Sequence, residues 1–192
     1  MKIIEAPSEA LSAVSSEVKV PFPADLSSIL TQMEEALRSA SDPKGVGLAA
    51  PQAGIALRIF ITKPTEKSKT AVFINPKILA TGGSQLATGK QGARGQKPVV
   101  RSRRQKKLEG CLSLHSIWGD VKRYPTVKLS FLDEKGRKHT KEFKGFMATI
   151  VQHEIDHLDG ILFPRRVLEQ KGKLYKSSKN EKNEDIFDEI EL

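Results

Sequence analysis

Two histidines four residues apart flank a glutamate in Gln152-His153-Glu154-Ile155-Asp156-His157-Leu158-Asp159-Gly160. On a helix, positions i and i+4 share a face, so this H-E-x-x-H spacing aims two imidazoles at one metal ion. Glu154, beside the first of them, is placed to handle the proton of a water that the cation acidifies. The only cysteine, Cys111, lies in Glu109-Gly110-Cys111-Leu112-Ser113. Alone, a free thiol is more often a small buried hydrophobe. With His153 and His157 it completes three protein ligands and leaves a position for water, as a catalytic site requires. Gly110 would let the backbone approach such a site closely.

The chemistry these residues permit is attack of water on a carbonyl carbon. Glu154 takes a proton from the water, and the tetrahedral intermediate then carries a negative oxygen that needs hydrogen-bond donors. The Leu112 backbone N–H and the Gln52 side-chain amide are the candidate donors. Glu154 can finally pass the proton to a leaving amine. Asp156 reads either as a helix-surface carboxylate or as an acceptor for an imidazole N–H.

The elements that must position these groups follow from periodicity. Gly145 to about Leu158 predicts a helix that is apolar or small at most positions, so it should be buried at the centre of the fold, with Gly160 as its stop. Asp25 to Leu37 predicts another, with Leu26, Ile29, Leu30, Met33 and Leu37 on one face. Ile55–Ile61 and Ala71–Asn75 read as strands, the second stopped by Pro76. Val127–Phe131 and His139–Lys144, joined by a turn at Asp133–Gly136, predict an antiparallel hairpin. Ser41–Gly45 reads as a loop. The small residues of Gly45-Val46-Gly47-Leu48-Ala49-Ala50-Pro51-Gln52 let that backbone run close to another group.

The chain has 192 residues, 38% of them hydrophobic, which suits one compact domain. We expect a single catalytic domain over residues 1–170 and a polar tail over 171–192, partly disordered or forming a short C-terminal helix. No apolar run is long enough to span a bilayer. Met1–Pro7 has no signal-peptide pattern. A single cysteine excludes an internal disulfide framework. These features predict a cytoplasmic protein with no membrane association. The net charge is +9. Gly82 to Lys107 contains eight basic residues and no acidic one, so one segment carries nearly all of it. That segment reads as a flexible Gly-, Lys- and Arg-rich loop.

Three stretches, Gly45–Gln52, Glu109–Ser113 and Gln152–Leu158, resemble the signature motifs of the peptide deformylase family, in that family's order. Each of the first two is a modest signal, and the three together are very specific. The resemblance runs from about Ile3 to Phe163. It implies an α+β fold in which antiparallel sheets pack around a central buried H-E-x-x-H helix. It implies hydrolysis of the N-formyl group from the formyl-methionine of nascent polypeptides, releasing formate, a co-translational step of N-terminal methionine processing. Cys111, His153 and His157 would hold the metal, characteristically Fe2+, with Zn2+, Ni2+ or Co2+ able to occupy the site. Glu154 would be the acid/base, with Gln52 and Leu112 stabilising the oxyanion. Val46 and Gly47 would line the substrate channel, the Gly47 backbone bonding the peptide. Phe146, Thr149 and Ile150, with Val46 opposite, would form the methionine pocket, although Phe146 and Ile150 suit plain core packing equally well. Glu109 would pair with Arg123 and pin the strand carrying Cys111, unless that pair is merely solvated.

Two departures from the family pattern stand out. Leu114-His115 follows Ser113 where the family often has Pro two residues after that Ser. His115 reads as a rim residue or stray ligand, and Trp118 either flanks the channel or covers the core. The basic segment is longer than usual and suggests contact with ribosomal RNA or acidic nascent chains, since clustered cations attract phosphate regardless of sequence. A monomer is expected. Two rival readings are an H-E-x-x-H metallopeptidase and an RNA-binding protein with a structural metal. The first usually takes a further ligand downstream, where no histidine follows His157. The second would need His115 or His139 to close a four-ligand shell.

Overall fold

The computed structural model describes residues 1–40, 44–82, 105–182 and 184–191. It is a mixed fold of two antiparallel sheets and few helices. Helix α1 (Leu26–Ser39) is followed by β1 (Gly47–Ala49), a 3-10 turn (Ala50–Ala53), β2 (Ile59–Thr62) and β3 (Ala71–Thr81). Then come β4 (Gln105–Cys111), β5 (Leu114–Arg123), β6 (Thr126–Leu132) and β7 (Lys138–Lys144). Helices α2 (Gly145–Leu158) and α3 (Phe163–Glu169) precede β8 (Leu174–Lys179) and β9 (Asp185–Ile190). One sheet has the order β1-β2-β3-β6-β7 and the other β4-β5-β8-β9.

Sequence periodicity accounts for how α2 is seated. It packs on β1, β2, β6 and β7 of the first sheet and on β5 of the second. Ala148, Val151, Ile155 and Leu158 enter a core with Phe60, Phe73, Val127 and Leu129. Phe60 and Phe73 stack there at a centroid distance of 4.4 Å. Leu26, Met33 and Leu37 of α1 bury against Leu48, Ile59, Ile61 and Ile74. The expected β6–β7 hairpin forms, pairing Thr126 with Lys144 through Leu132 with Lys138, with Gly136 at φ 76° in its turn.

Several expectations need correction. Pro76 does not stop β3, which continues to Thr81. The proline sits where the register with β6 shifts, between Ile74 and Lys77, so no ladder hydrogen bond is lost to it. Asn75 beside it has φ 48°, and its side chain bonds both the N–H and the carbonyl of Val18. The strand expected from Ile55 begins only at Ile59. Residues 105–107, expected to be loop, begin β4; the rest of the basic segment beyond Gly82 lies outside the described residues, as do positions 41–43 of the expected Ser41–Gly45 loop. Helix α3 was not anticipated. The tail over 171–192, expected to be partly disordered or a short C-terminal helix, instead contains the β8–β9 hairpin, which pairs with β5. The exposed edge of β5 offers backbone partners that an isolated tail lacks, and such context overrides local propensity.

Candidate metal centre and cavity

α2 presents His153 and His157 on one face, and the end of β4 brings Cys111 to them. Cys111 Sγ lies 3.2 Å from His157 Nε2, which lies 3.2 Å from His153 Nε2. Among the described residues, these three side chains converge as a group able to hold a cation. The donor set tests that fit. His153 Nδ1 lies 3.0 Å from a Glu109 carboxylate oxygen, so the ring donates there and keeps its Nε2 lone pair for the cluster. His157 Nδ1 is buried with no hydrogen-bond partner. Two imidazole nitrogens and a thiol sulfur cannot all satisfy one another with hydrogen bonds, whereas a shared cation takes a lone pair from each. The donor set therefore fits a metal ion, which Cys111, His153 and His157 could hold.

Glu109 is anchored by Arg123, whose Nε and Nη2 donate to its two oxygens at 2.8 and 2.9 Å. Burial works to raise the Glu109 carboxyl, but Arg123 and His153 outweigh it and hold it down at about 2. The pair is buried, not solvated. Arg123 also donates to Asp156 at 2.6 Å, and Arg166 holds Asp156 from the other side at 2.7 Å. Asp156 is thus neither a surface carboxylate nor an imidazole partner. It is buried, engaged by two arginines, and Glu109 takes the imidazole-orienting role instead. The Arg166 contribution had no signal in the sequence, because it depends on α3 folding back beside α2.

Glu154 is buried, and its Oε2 has no hydrogen-bond partner. Burial disfavours its charge and pushes its carboxyl up to about 7. Gly47 explains how β1 comes so close: a Cβ there would collide with the Glu154 carboxylate. Gln52, on the 3-10 turn after β1, accepts the Ala49 N–H through Oε1 at 2.9 Å. That bond turns its amide nitrogen toward Ser113 Oγ (3.2 Å) and Cys111 Sγ (3.5 Å). Leu112 follows Cys111 and is buried.

These residues open onto a cavity of about 220 Å³. Val46, Gly47, Gln52, Cys111, Leu112, His153 and Glu154 line it, together with Phe146, Thr149 and Ile150. Ile150 is buried, whereas Phe146 is 52% exposed, so a core-packing role does not apply to Phe146. Trp118 also lines the cavity. His115 lies away from the cluster, its Nε2 3.4 Å from Glu5. His139 is bonded to Asp133 in the β6–β7 hairpin. Neither closes a four-ligand shell.

Known proteins resemble this chain in both sequence and fold. The family model described as polypeptide deformylase matches residues 1–173. Peptide deformylase 1 of Bacillus subtilis is 34% identical over 166 residues, covering 86% of this chain and 89% of the relative. The peptide deformylase of Chlorobium luteolum is 37% identical over 149 residues, covering 75% of this chain and 66% of the relative. A Synechococcus elongatus peptide deformylase in complex with actinonin superposes with a TM-score of 0.70 at 30% identity, covering 85% of this chain and 78% of that one. A class I type b peptide deformylase from Acinetobacter baumannii bound to Met-Ala-Ser gives 0.68 at 28% identity, covering 85% and 96%.

Proposed function

The chain belongs to the polypeptide deformylase family, and on that premise we propose that it removes the N-formyl group from the formyl-methionine of nascent polypeptides, releasing formate. The observation that carries this is the convergence of Cys111, His153 and His157 near the buried Glu154, with Cys111, His153 and Glu154 lining an apolar cavity. We read α2 as the central helix of the fold, since elements of both sheets pack on it.

A divalent cation held by Cys111 Sγ and the two imidazole Nε2 atoms would supply the positive charge that acidifies water and polarises a carbonyl. The chain's own groups do the rest. Glu154 takes a proton from the attacking water. The water oxygen bonds to the formyl carbon, and the carbonyl oxygen becomes negative. Gln52 Nε2, oriented by the Ala49 N–H, and the Leu112 N–H donate to that oxygen. The carbon–nitrogen bond then breaks, Glu154 passes its proton to the amine, and formate leaves. Phe146, Thr149 and Ile150 receive the methionine side chain, with Val46 and Gly47 guiding the peptide backbone.

The thiolate and imidazole ligands accept several divalent ions. We assign Fe2+ as the cellular metal, with Zn2+, Ni2+ or Co2+ as substitutes. No helix of the described residues is long and apolar enough to cross a membrane. We place the protein in the cytoplasm as a monomer acting on emerging chains, with residues 1–170 as its catalytic domain. The basic segment 82–107 would contact ribosomal RNA, and co-sedimentation with ribosomes that does not weaken on deleting residues 87–106 would end that idea.

The deciding experiment is formate release from formyl-Met-Ala by anaerobically prepared protein. Glu154→Gln should keep its metal yet lose about 10²-fold or more in turnover. Absence of formate release, or cleavage of internal peptide bonds instead, would overturn the reading.

A further inference from the structure

The β8–β9 hairpin begins at Leu174, beyond the residues the family model matches, yet it reaches the wall of the cavity. Trp118, on β5, is the contact. Its Cα partners are Gly110 on β4 and Tyr175 on β8. Alternation along the strands then sets two faces. Gly119 and Leu174 face the α3 core of Phe163 and Val167, while Trp118, Tyr175 and Ser177 face the cavity side.

Two residues of the hairpin hold the indole. Trp118 Nε1 donates to Ser177 Oγ at 3.1 Å. Phe187, the Cα partner of Ser177, meets the ring edge-on, with centroids 5.7 Å apart and planes at 88°. Beneath the ring lies Gly110, where an added Cβ would stand 3.0 Å from the six-membered ring. The indole is therefore packed over the residue next to Cys111. Its single polar atom is satisfied by Ser177, which does not itself line the cavity, and the indole remains on the lining.

Resting on the deformylase reading, we propose that this hairpin props Trp118 as the wall for the peptide residues that follow formyl-methionine, and so sets a preference for apolar side chains there. The methionine side chain is assigned to α2, through Phe146, Thr149 and Ile150. Trp118 comes from the other sheet, as does Leu108, which also lines the cavity. The peptide continuing from methionine thus meets this second, aromatic side. Trp118 would touch substrate; Ser177 and Phe187 are positioning residues that act through it.

Trp118 is the only tryptophan in the chain, so intrinsic emission reports on this wall directly. The product peptide Met-Ala-Phe, titrated into the metal-loaded protein, should shift that emission, whereas Met-Ala should shift it less. Phe187→Ala and Ser177→Ala should raise KM for formyl-Met-Ala-Phe by about 5-fold at unchanged kcat, the size of one lost aromatic contact or one lost hydrogen bond, and raise KM for formyl-Met-Ala by less. Ile186→Ala, on the opposite face of β9, should leave both KM values at the wild-type level. Emission that Met-Ala-Phe does not move, or an equal rise of both KM values in Phe187→Ala, overturns the proposal. A wild-type protein that releases no formate from either peptide overturns the deformylase reading instead, and the emission titration still decides the role of the wall.

Discussion

His153 Nδ1 lies 3.0 Å from Glu109 Oε2, and this one hydrogen bond joins the cation-binding cluster to a buried chain of ion pairs. Behind it run Arg123, Asp156 and Arg166, which tie together β4, β5, α2 and α3. The bond fixes both the tautomer and the ring direction of His153. Glu109→Gln should therefore lower metal affinity by about 10- to 100-fold, as loss of such an orienting carboxylate typically does. Competition with a chelator of known affinity measures it; unchanged affinity would contradict the role.

Arg123 is buried between two carboxylates. Removing it strands both charges. Arg123→Ala should cost about 3–5 kcal/mol in denaturant unfolding, the usual penalty for breaking a buried pair from one side. A cost comparable to that of an exposed ion pair would mean that water reaches the network.

Gly47 lets β1 pass against Glu154. In Gly47→Ala the new methyl and the carboxylate cannot both keep their positions. We expect a loss of about 1–3 kcal/mol in stability from overpacking, together with a fall in kcat while metal content stays at wild-type level. Elemental analysis beside steady-state kinetics checks this, and full activity would show that Glu154 moves aside freely.

Metal removal should act on stability as well as on turnover, because the folded chain binds the ion and the unfolded one has no assembled site. Adding Zn2+ or Co2+ to stripped protein at a hundred times the Kd should stabilise it by about 2.7 kcal/mol. Thermal melts should show that gain in the wild type and not in Cys111→Ser or His157→Ala. An equal gain in those variants would place the ion elsewhere.

Asp133 closes the β6–β7 turn. His139 and Arg137 bond its carboxylate, as do the backbone N–H groups of Lys135 and Arg137. These contacts, His139 first, hold its carboxyl below the usual carboxylate range. Its ionised form therefore stabilises the fold above about pH 4, and the contribution fades as pH falls from there toward its folded value. Asp133→Asn should lower the melting temperature at pH 7 and make no difference in strong acid. A deficit that persists at low pH would point to packing, not charge.

The candidate metal centre was legible because its signal is local. His153 and His157 share one helical face by spacing alone, and a lone Cys111 beside Gly110 leaves little choice of third ligand. The β6–β7 hairpin was legible for the same reason, through alternation and a turn residue at Gly136. Asp156 was misread because its partners, Arg123 and Arg166, are distant in sequence. Pro76 was misread because a register shift with β6 spares it a ladder position. The C-terminal hairpin was invisible because the edge of β5 on which it pairs lies more than fifty residues earlier in the chain.

By itself the order of residues determined which atoms could bind a cation, move a proton and form helical or strand-like faces, since those depend on spacing along one element. Tertiary structure decided which carboxylate orients His153, how closely Gly47 brings β1 to Glu154, and that the tail supports Trp118. Those outcomes depend on burial and on contacts between elements far apart in the chain, and no local pattern encodes them.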